Sequence, residues 1–298
     1  MEFMERHCKD LNIIPDAIRQ FGTEEILSVF ERMTLARKFE DCIVRACASG
    51  KFKIKIHMSS GQEAVAAAVG TAAWDYQIFT QHRTMDLYLA LGGDACRLRD
   101  EILCLDSGTS SGRQGGAFQL FENGRRMYAH TGLIGENIPV GVGAALGNGE
   151  KTICYFGDGA AEEDYALSAY GFAVTHKLPV LFLCTDNELS VLSGKEKRRT
   201  WELDELARGF GMESMDVSDD PFTLMLLIGK YEDRLPALIN VRVCRNYWHA
   251  GVGVDEDPAW DRYLMLQEQL AGMGLQNEVS RIQKTALEKM EDVWHDYL

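Results

Sequence analysis

The sequence predicts an α/β protein, a parallel sheet flanked by helices, and three observations carry that prediction. Near-continuous apolar runs, KTICYF, PVLFLCTDN and LPALINVRVCR, read as strands buried on both faces. The segment EEDYALSAYGFAVTHK between the first two has helical periodicity, so those strands are joined by a crossover and run parallel. The turn after the first strand is GDGAAEED, with glycines where a strand hands over directly to a helix.

The elements follow in chain order. GTEEILSVFERMTLARKFEDCIVRACAS places Ile26, Phe30, Met33, Leu35, Phe39 and Ile43 at mixed three- and four-residue spacing, a long helix with Thr23 as the expected N-cap. Alanine-rich SGQEAVAAAVGTAAW predicts a second helix. From about residue 105 the texture turns glycine-rich, through DSGTSSGRQGGAFQLF and HTGLIGENIPVGVGAALGNG, and reads as long functional loop. After the strand series, Trp260 to Leu298 reads as amphipathic helix. The expected organisation is one domain over residues 1–298, with helical extensions at 1–50 and 260–298.

Composition narrows the function. With 31 basic against 45 acidic side chains, the net charge of −14 repels a polyanion, so nucleic acid is excluded as an extended partner. A hydrophobic share of 46% excludes a disordered chain. The eight cysteines form no CxxC pair, and Cys154 and Cys184 sit inside strands, as small hydrophobes of a reduced protein. The N-terminus has no apolar signal region, and no apolar run reaches the roughly 18 residues that a membrane span needs. A cytoplasmic protein is expected.

In a parallel sheet, ligands bind outside the carboxyl ends of the strands. That rule points at Gly157 to Ala160, Thr185 to Ser190, and Arg245 onward. Asp158 and Asn187 stand twenty-nine positions apart, one βα unit, so both should emerge at the same edge. A carboxylate, an amide oxygen and a nearby main-chain carbonyl are hard ligands suited to Mg²⁺, whose shell phosphate oxygens and water would complete.

At this point the chain resembles a known family. The GDG triplet with its closing Asn is similar to the thiamine-diphosphate fingerprint. LARKFEDCIVRACASGKFKIKIHMSSGQEAVAAAVG, FTQHRTMDLYLALGGD, SGRQGGAFQLF and TGLIGENIPVGVGAAL precede it in order. This succession, from about residue 20 to 265, resembles the alpha subunit of the thiamine-dependent first component of 2-oxo acid dehydrogenase complexes, of pyruvate, branched-chain or acetoin type.

The resemblance implies the thiamine-diphosphate-binding fold, with thiamine diphosphate and Mg²⁺ as cofactors. Asp158, Asn187 and the Leu189 carbonyl would bind the metal. Arg83, His82 and the amides of Gly159 and Ala160 would hold the diphosphate, while Gly132 and Ile134 would support the aminopyrimidine. His57 and His249 match histidines on the substrate side. The implied activity is decarboxylation of a 2-oxo acid and transfer of the acyl unit to a lipoyl group, in an α₂β₂ assembly with a beta subunit that supplies the activating glutamate, and with a lipoyl-domain acyltransferase as a further partner. Glu63 in GQEA belongs to an alpha-subunit motif and is not that acid. The alternative is a carboligase or decarboxylase subunit working without lipoate.

Departures from the family pattern are specific. Met85 and Asp86 stand where many members have His-Gly, and Phe118-Gln119 replaces a common Met-His. Asp186 replaces a frequent Asn, and Asn240 a frequent Glu. The loop after His249 lacks a serine-rich stretch. Arg83 reads as a local basic exception, His7, His130, His176 and His295 as structural, and DEDP as a solvated loop.

Overall fold

The computed structural model describes residues 17–50, 56–113, 120–129, 133–254 and 260–298. The long first helix, α1, spans Thr23–Ala48 and α2 spans Glu63–Ala72. Then follow β1 (Gln77–Thr80), α3 (Met85–Ala90), α4 (Ala95–Ile102), β2 (Phe121–Glu122), β3 (Met127–Ala129), α5 (Asn137–Asn148) and β4 (Thr152–Gly157). After these come α6 (Asp164–Thr175), β5 (Val180–Asp186), the small hairpin β6 (Leu189–Ser190) and β7 (Ser193–Gly194), α7 (Leu203–Phe210) and β8 (Glu213–Ser218). The chain ends with α8 (Pro221–Tyr231), β9 (Ala237–Arg242), α9 (Arg262–Gly272) and α10 (Gln276–Trp294).

The main sheet has the order β2-β3-β1-β4-β5-β9-β8. All its pairings are parallel except β2 with β3. The predicted parallel sheet flanked by helices is therefore present. Its strands alternate between two cores, as the two-residue pleat demands. Ile153, Tyr155, Leu181, Leu183, Ile239 and Val241 face a core shared with α1, α2, α8 and α10. Cys154, Phe156, Phe182, Cys184 and Leu238 face a second core with α5, α6 and α7. Burying one such side chain contributes about 1.5–3 kcal/mol, so losing either layer would unfold the sheet.

Both terminal helical regions exist and pack together. Phe39 of α1 meets Trp294 of α10 edge-on with centroids 5.4 Å apart. Arg37 holds Asp261, the N-cap of α9, through two hydrogen bonds of 2.9 and 3.0 Å. The same Arg37 pairs with Glu63, whose other oxygen accepts from the Gly61 amide at 2.9 Å.

Two local expectations are corrected. Thr23 is the first helical residue of α1 and Gly22 takes the N-cap place, with no side-chain cap. The stretch expected as continuous loop from about residue 105 contains β2, β3 and the twelve-residue helix α5. Its Ile138, Val142 and Ala145 form a buried face. Gly141 fits there because a Cβ would lie 2.6 Å from Cys154 Sγ, so close packing on β4 outweighs the low helix propensity of glycine.

Order reverses between β1 and β4: the chain leaves β1 toward β3 and leaves β4 toward β5. Such a switch point opens a crevice at the carboxyl ends of the two strands.

Candidate active site

Four segments meet at that crevice. Gln81 to Arg83 leave β1, Gly157 to Ala160 leave β4, the Asn187–Val191 turn leaves β5, and Arg245 to His249 follow β9. Gln81 Oε1 accepts from the Gly157 amide at 2.9 Å, tying the exits of β1 and β4 together. Of the residues expected at a cofactor, His82, Arg83, Ile134, Asp158, Gly159, Ala160, Asn187 and Leu189 line one cavity of about 130 Å³, together with His249. Gly132 lies outside the described residues.

The acidic wall is built by β4 and β5. Gly157 pairs with Thr185 in parallel register, which brings Asp158 and Asn187 to one edge, as their spacing predicts. Asp158 is buried, and burial followed by the nearby Asp186 charge pushes its carboxyl up to about 6. Asn187 Oδ1 accepts from the Leu189 amide at 3.0 Å and Asp186 Oδ1 from the Glu188 amide at 2.9 Å. Between them Glu188 takes φ +61°, a costly conformation for a non-glycine residue that these bonds hold in place. The turn thereby brings Asn187 and Leu189 to the same cavity as Asp158. Gly159 packs closely on that turn, where a Cβ would come within 2.7 Å of Ser190 Oγ and push the side chain aside.

The basic wall is Arg83. Its guanidinium is buried, donating to the carbonyls of Met58 and of His249, the latter at 3.0 Å. Burial, then Arg245, lowers its pKa to about 10, so it stays a cation near neutral pH. No described carboxylate lies within ion-pairing distance of it. Next to it three imidazoles cluster: ring centroids are 4.5 Å apart for His57 and His82, 4.9 Å for His57 and His249, and 5.8 Å for His82 and His249. His57 is buried behind the cavity wall, and burial, then Arg83 and His249, push His82 down to about 3.

Sequence reasoning missed several participants. Gln62, Gln81 and Val191 also line the cavity, beside Thr185, Ser190 and Arg245 from the stretches that the strand ends pointed to. Arg198 bridges Asp158 at 2.5 Å and Glu162 at 2.6 Å, and Arg199 reaches Asp186 at 3.2 Å. Arg83 is thus not the sole basic exception. The signal was available in KEKRR, a basic cluster in an acidic chain. Met85 and Asp86 are buried and do not line the cavity, while Phe118-Gln119 and the DEDP loop lie outside the described residues.

The family model described as dehydrogenase E1 component matches residues 30–249. The chain is 29% identical over 202 residues to the pyruvate dehydrogenase E1 component subunit alpha of Zymomonas mobilis, covering 65% of this chain and 57% of that protein. It is 29% identical over 219 residues to the mitochondrial counterpart of Dictyostelium discoideum, with 70% and 56% covered. For the Rickettsia felis protein of the same name, identity is 27% over 241 residues, with 76% and 73% covered. The chain thus spans somewhat over half the length of the first two relatives. No described helix is long and apolar enough to cross a membrane.

Proposed function

Because the chain belongs to the dehydrogenase E1 component family, we propose that it is the alpha-type subunit of a two-component thiamine-diphosphate enzyme that decarboxylates a 2-oxo acid and passes the acyl unit to a lipoyl group. The observation that carries the reading is the pairing, across one cavity at the switch point, of the Asp158 and Asn187 wall with the buried Arg83. A buried guanidinium held by the Met58 and His249 carbonyls and standing 3.4 Å from His249 Nδ1, with no described carboxylate paired to it, suits an incoming anion.

The residues fit the cofactor. Asp158, Asn187 and the Leu189 carbonyl offer the hard oxygens that Mg²⁺ prefers. Arg83, His82 and the amides of Gly159 and Ala160 would hold the diphosphate, Gly159 leaving room for close backbone approach. Ile134, fixed by the Tyr165 hydroxyl on its carbonyl, and Gly132 would support the organic ring. The bound cofactor supplies the sink for the electron pair released as CO₂ leaves. Arg83 orients the anion while its bond to the His249 carbonyl fixes the segment that presents His249. His57 and His249 would hold or release a proton at their ring nitrogens on the substrate side.

A beta-type partner belongs to the same reading, in an α₂β₂ assembly. Leu133, Val191, Leu192 and Trp248, beside cavity residues Ile134, Leu189 and His249, are 63%, 51%, 73% and 49% exposed, an apolar rim that a partner would cover. Glu63 is engaged by Arg37 and the Gly61 amide, which supports the reading that the activating glutamate comes from the partner. The close packing of α1 with α10 supports one domain with helical extensions. A cytoplasmic location and a lipoyl-domain acyltransferase complete the proposal. The lipoate-free carboligase is not favoured, since the relatives compared are named pyruvate dehydrogenase E1 alpha subunits.

Calorimetry of thiamine diphosphate with Mg²⁺, on the chain co-purified with its partner, tests the reading. Asp158→Ala or Asn187→Ala should abolish metal-dependent binding, and unchanged affinity in both would refute it.

A further inference from the structure

We propose that His57, His82 and His249 form a binding site for a borderline transition-metal ion of the Zn²⁺ class, chemically distinct from the oxygen-lined position at Asp158 and Asn187. Three separate segments deliver the ligands: the loop before α2, the exit of β1 and the stretch after β9. One ring nitrogen from each lies within 4.8 Å of the others, and among the described residues no other trio of histidine, cysteine or carboxylate groups converges in this way. Tetrahedral zinc with Zn–N bonds of about 2.0–2.1 Å needs nitrogens roughly 3.4 Å apart, so modest ring rotations close the trio onto an ion.

The chemistry of the trio selects the ion. Imidazole suits zinc, copper and nickel, whereas carboxylate, amide and carbonyl oxygens suit magnesium, so the two positions sort cations by hardness. The ligand form of histidine is the neutral ring, and burial beside Arg83 keeps His82 neutral. Arg83 braces the arrangement by donating to the carbonyls of Met58, next to His57, and of His249, and its Nη2 stands 3.4 Å from His249 Nδ1, so a metal ion at that ring nitrogen would have to displace it. Its charge also repels a dication, which sets the affinity below that of a closed structural site. Three protein ligands leave a fourth position open, and His82 and His249 line the cavity. If the proton roles proposed above hold, occupancy would take the His57 and His249 nitrogens away from them, a consequence separate from binding itself. The inference stands on the trio's geometry and does not require the proposed reaction.

The test uses the untagged full chain carrying Cys96→Ser and Cys104→Ser, since those exposed thiols would also take up zinc. Zn²⁺ is titrated against a chromophoric chelator, and Co²⁺ is followed by its visible d–d absorption. One equivalent should bind, with at least a tenfold loss of affinity and loss of the cobalt bands in His82→Phe. His249→Gln should behave alike, with circular dichroism confirming that both fold, and Asp158→Ala should keep both signals. Absence of stoichiometric binding, its persistence in both histidine variants, or its loss in Asp158→Ala would overturn the proposal.

Discussion

Arg198 Nη2 donates to Asp158 Oδ2 at 2.5 Å, so the carboxylate expected to take a divalent cation already faces a guanidinium. A cation and Arg198 therefore compete for the same oxygen. Arg198→Ala should tighten Mg²⁺ binding in the presence of thiamine diphosphate by about three- to tenfold, up to ~1.4 kcal/mol. Calorimetry at pH 8 reads this directly, and a weaker Mg²⁺ affinity would show that Arg198 supports the site instead of competing for it.

Asn240 makes a second test. Its amide donates to Asp186 Oδ2 at 3.1 Å and to Asp216 Oδ1 at 2.7 Å, holding two carboxylates together beside Arg242. Asn240→Asp turns a donor into a third carboxylate, which should cost about 1–3 kcal/mol. Urea denaturation with an unchanged midpoint would rule this out.

That pair also shows what sequence could and could not convey. Asp186 and Asn240 were visible as two separate departures from the family pattern, and only the register Cys184 with Asn240 and Asp186 with Arg242 makes them neighbours. In this chain the carboxylate stands on β5 and the amide on β9, and the amide donates to the carboxylate across the two strands. Strands β4, β5 and β9 were legible because they are buried on both faces and therefore near-continuously apolar in pattern. Four-residue β1 was not, being too short for any period to stand out, and β8 was not, being a half-exposed strand at the sheet edge with polar residues. Asp158 and Asn187 could be paired from one βα unit of spacing. The grouping of His57, His82 and His249 could not, because it depends on three crossovers.

Gly61 tests the loop that carries His57 and Gln62 to the site. It takes φ +105°, and an added Cβ would lie 2.5 Å from the Cys244 carbonyl oxygen, a backbone atom that cannot swing aside. Gly61→Ala should therefore destabilise by at least about 1–3 kcal/mol. At about 2–4 °C per kcal/mol for a chain of this class, the melting temperature should fall by several degrees. A melting temperature equal to wild type would mean that the loop relaxes freely and does not fix the histidine.

The pH dependence follows from His82, and its sign is set by the ring being neutral in the fold. Its folded pKa of about 3 lies below the ordinary 6.5, because burial, then Arg83 and His249, disfavour the charged ring. The unfolded chain therefore binds a proton that the folded chain refuses between those two values. The contribution is fully present above pH 6.5 and is lost as pH falls toward 3. His82→Phe removes the titrating group, so its stability should fall less than that of wild type on acidification. Between pH 7.5 and 5.5 the difference should change by about 1 kcal/mol in the variant's favour. Denaturant midpoints at the two pH values measure it. A difference that does not move with pH would mean that water reaches His82 in the folded chain, and the buried imidazole cluster beside Arg83 would then have to be redrawn.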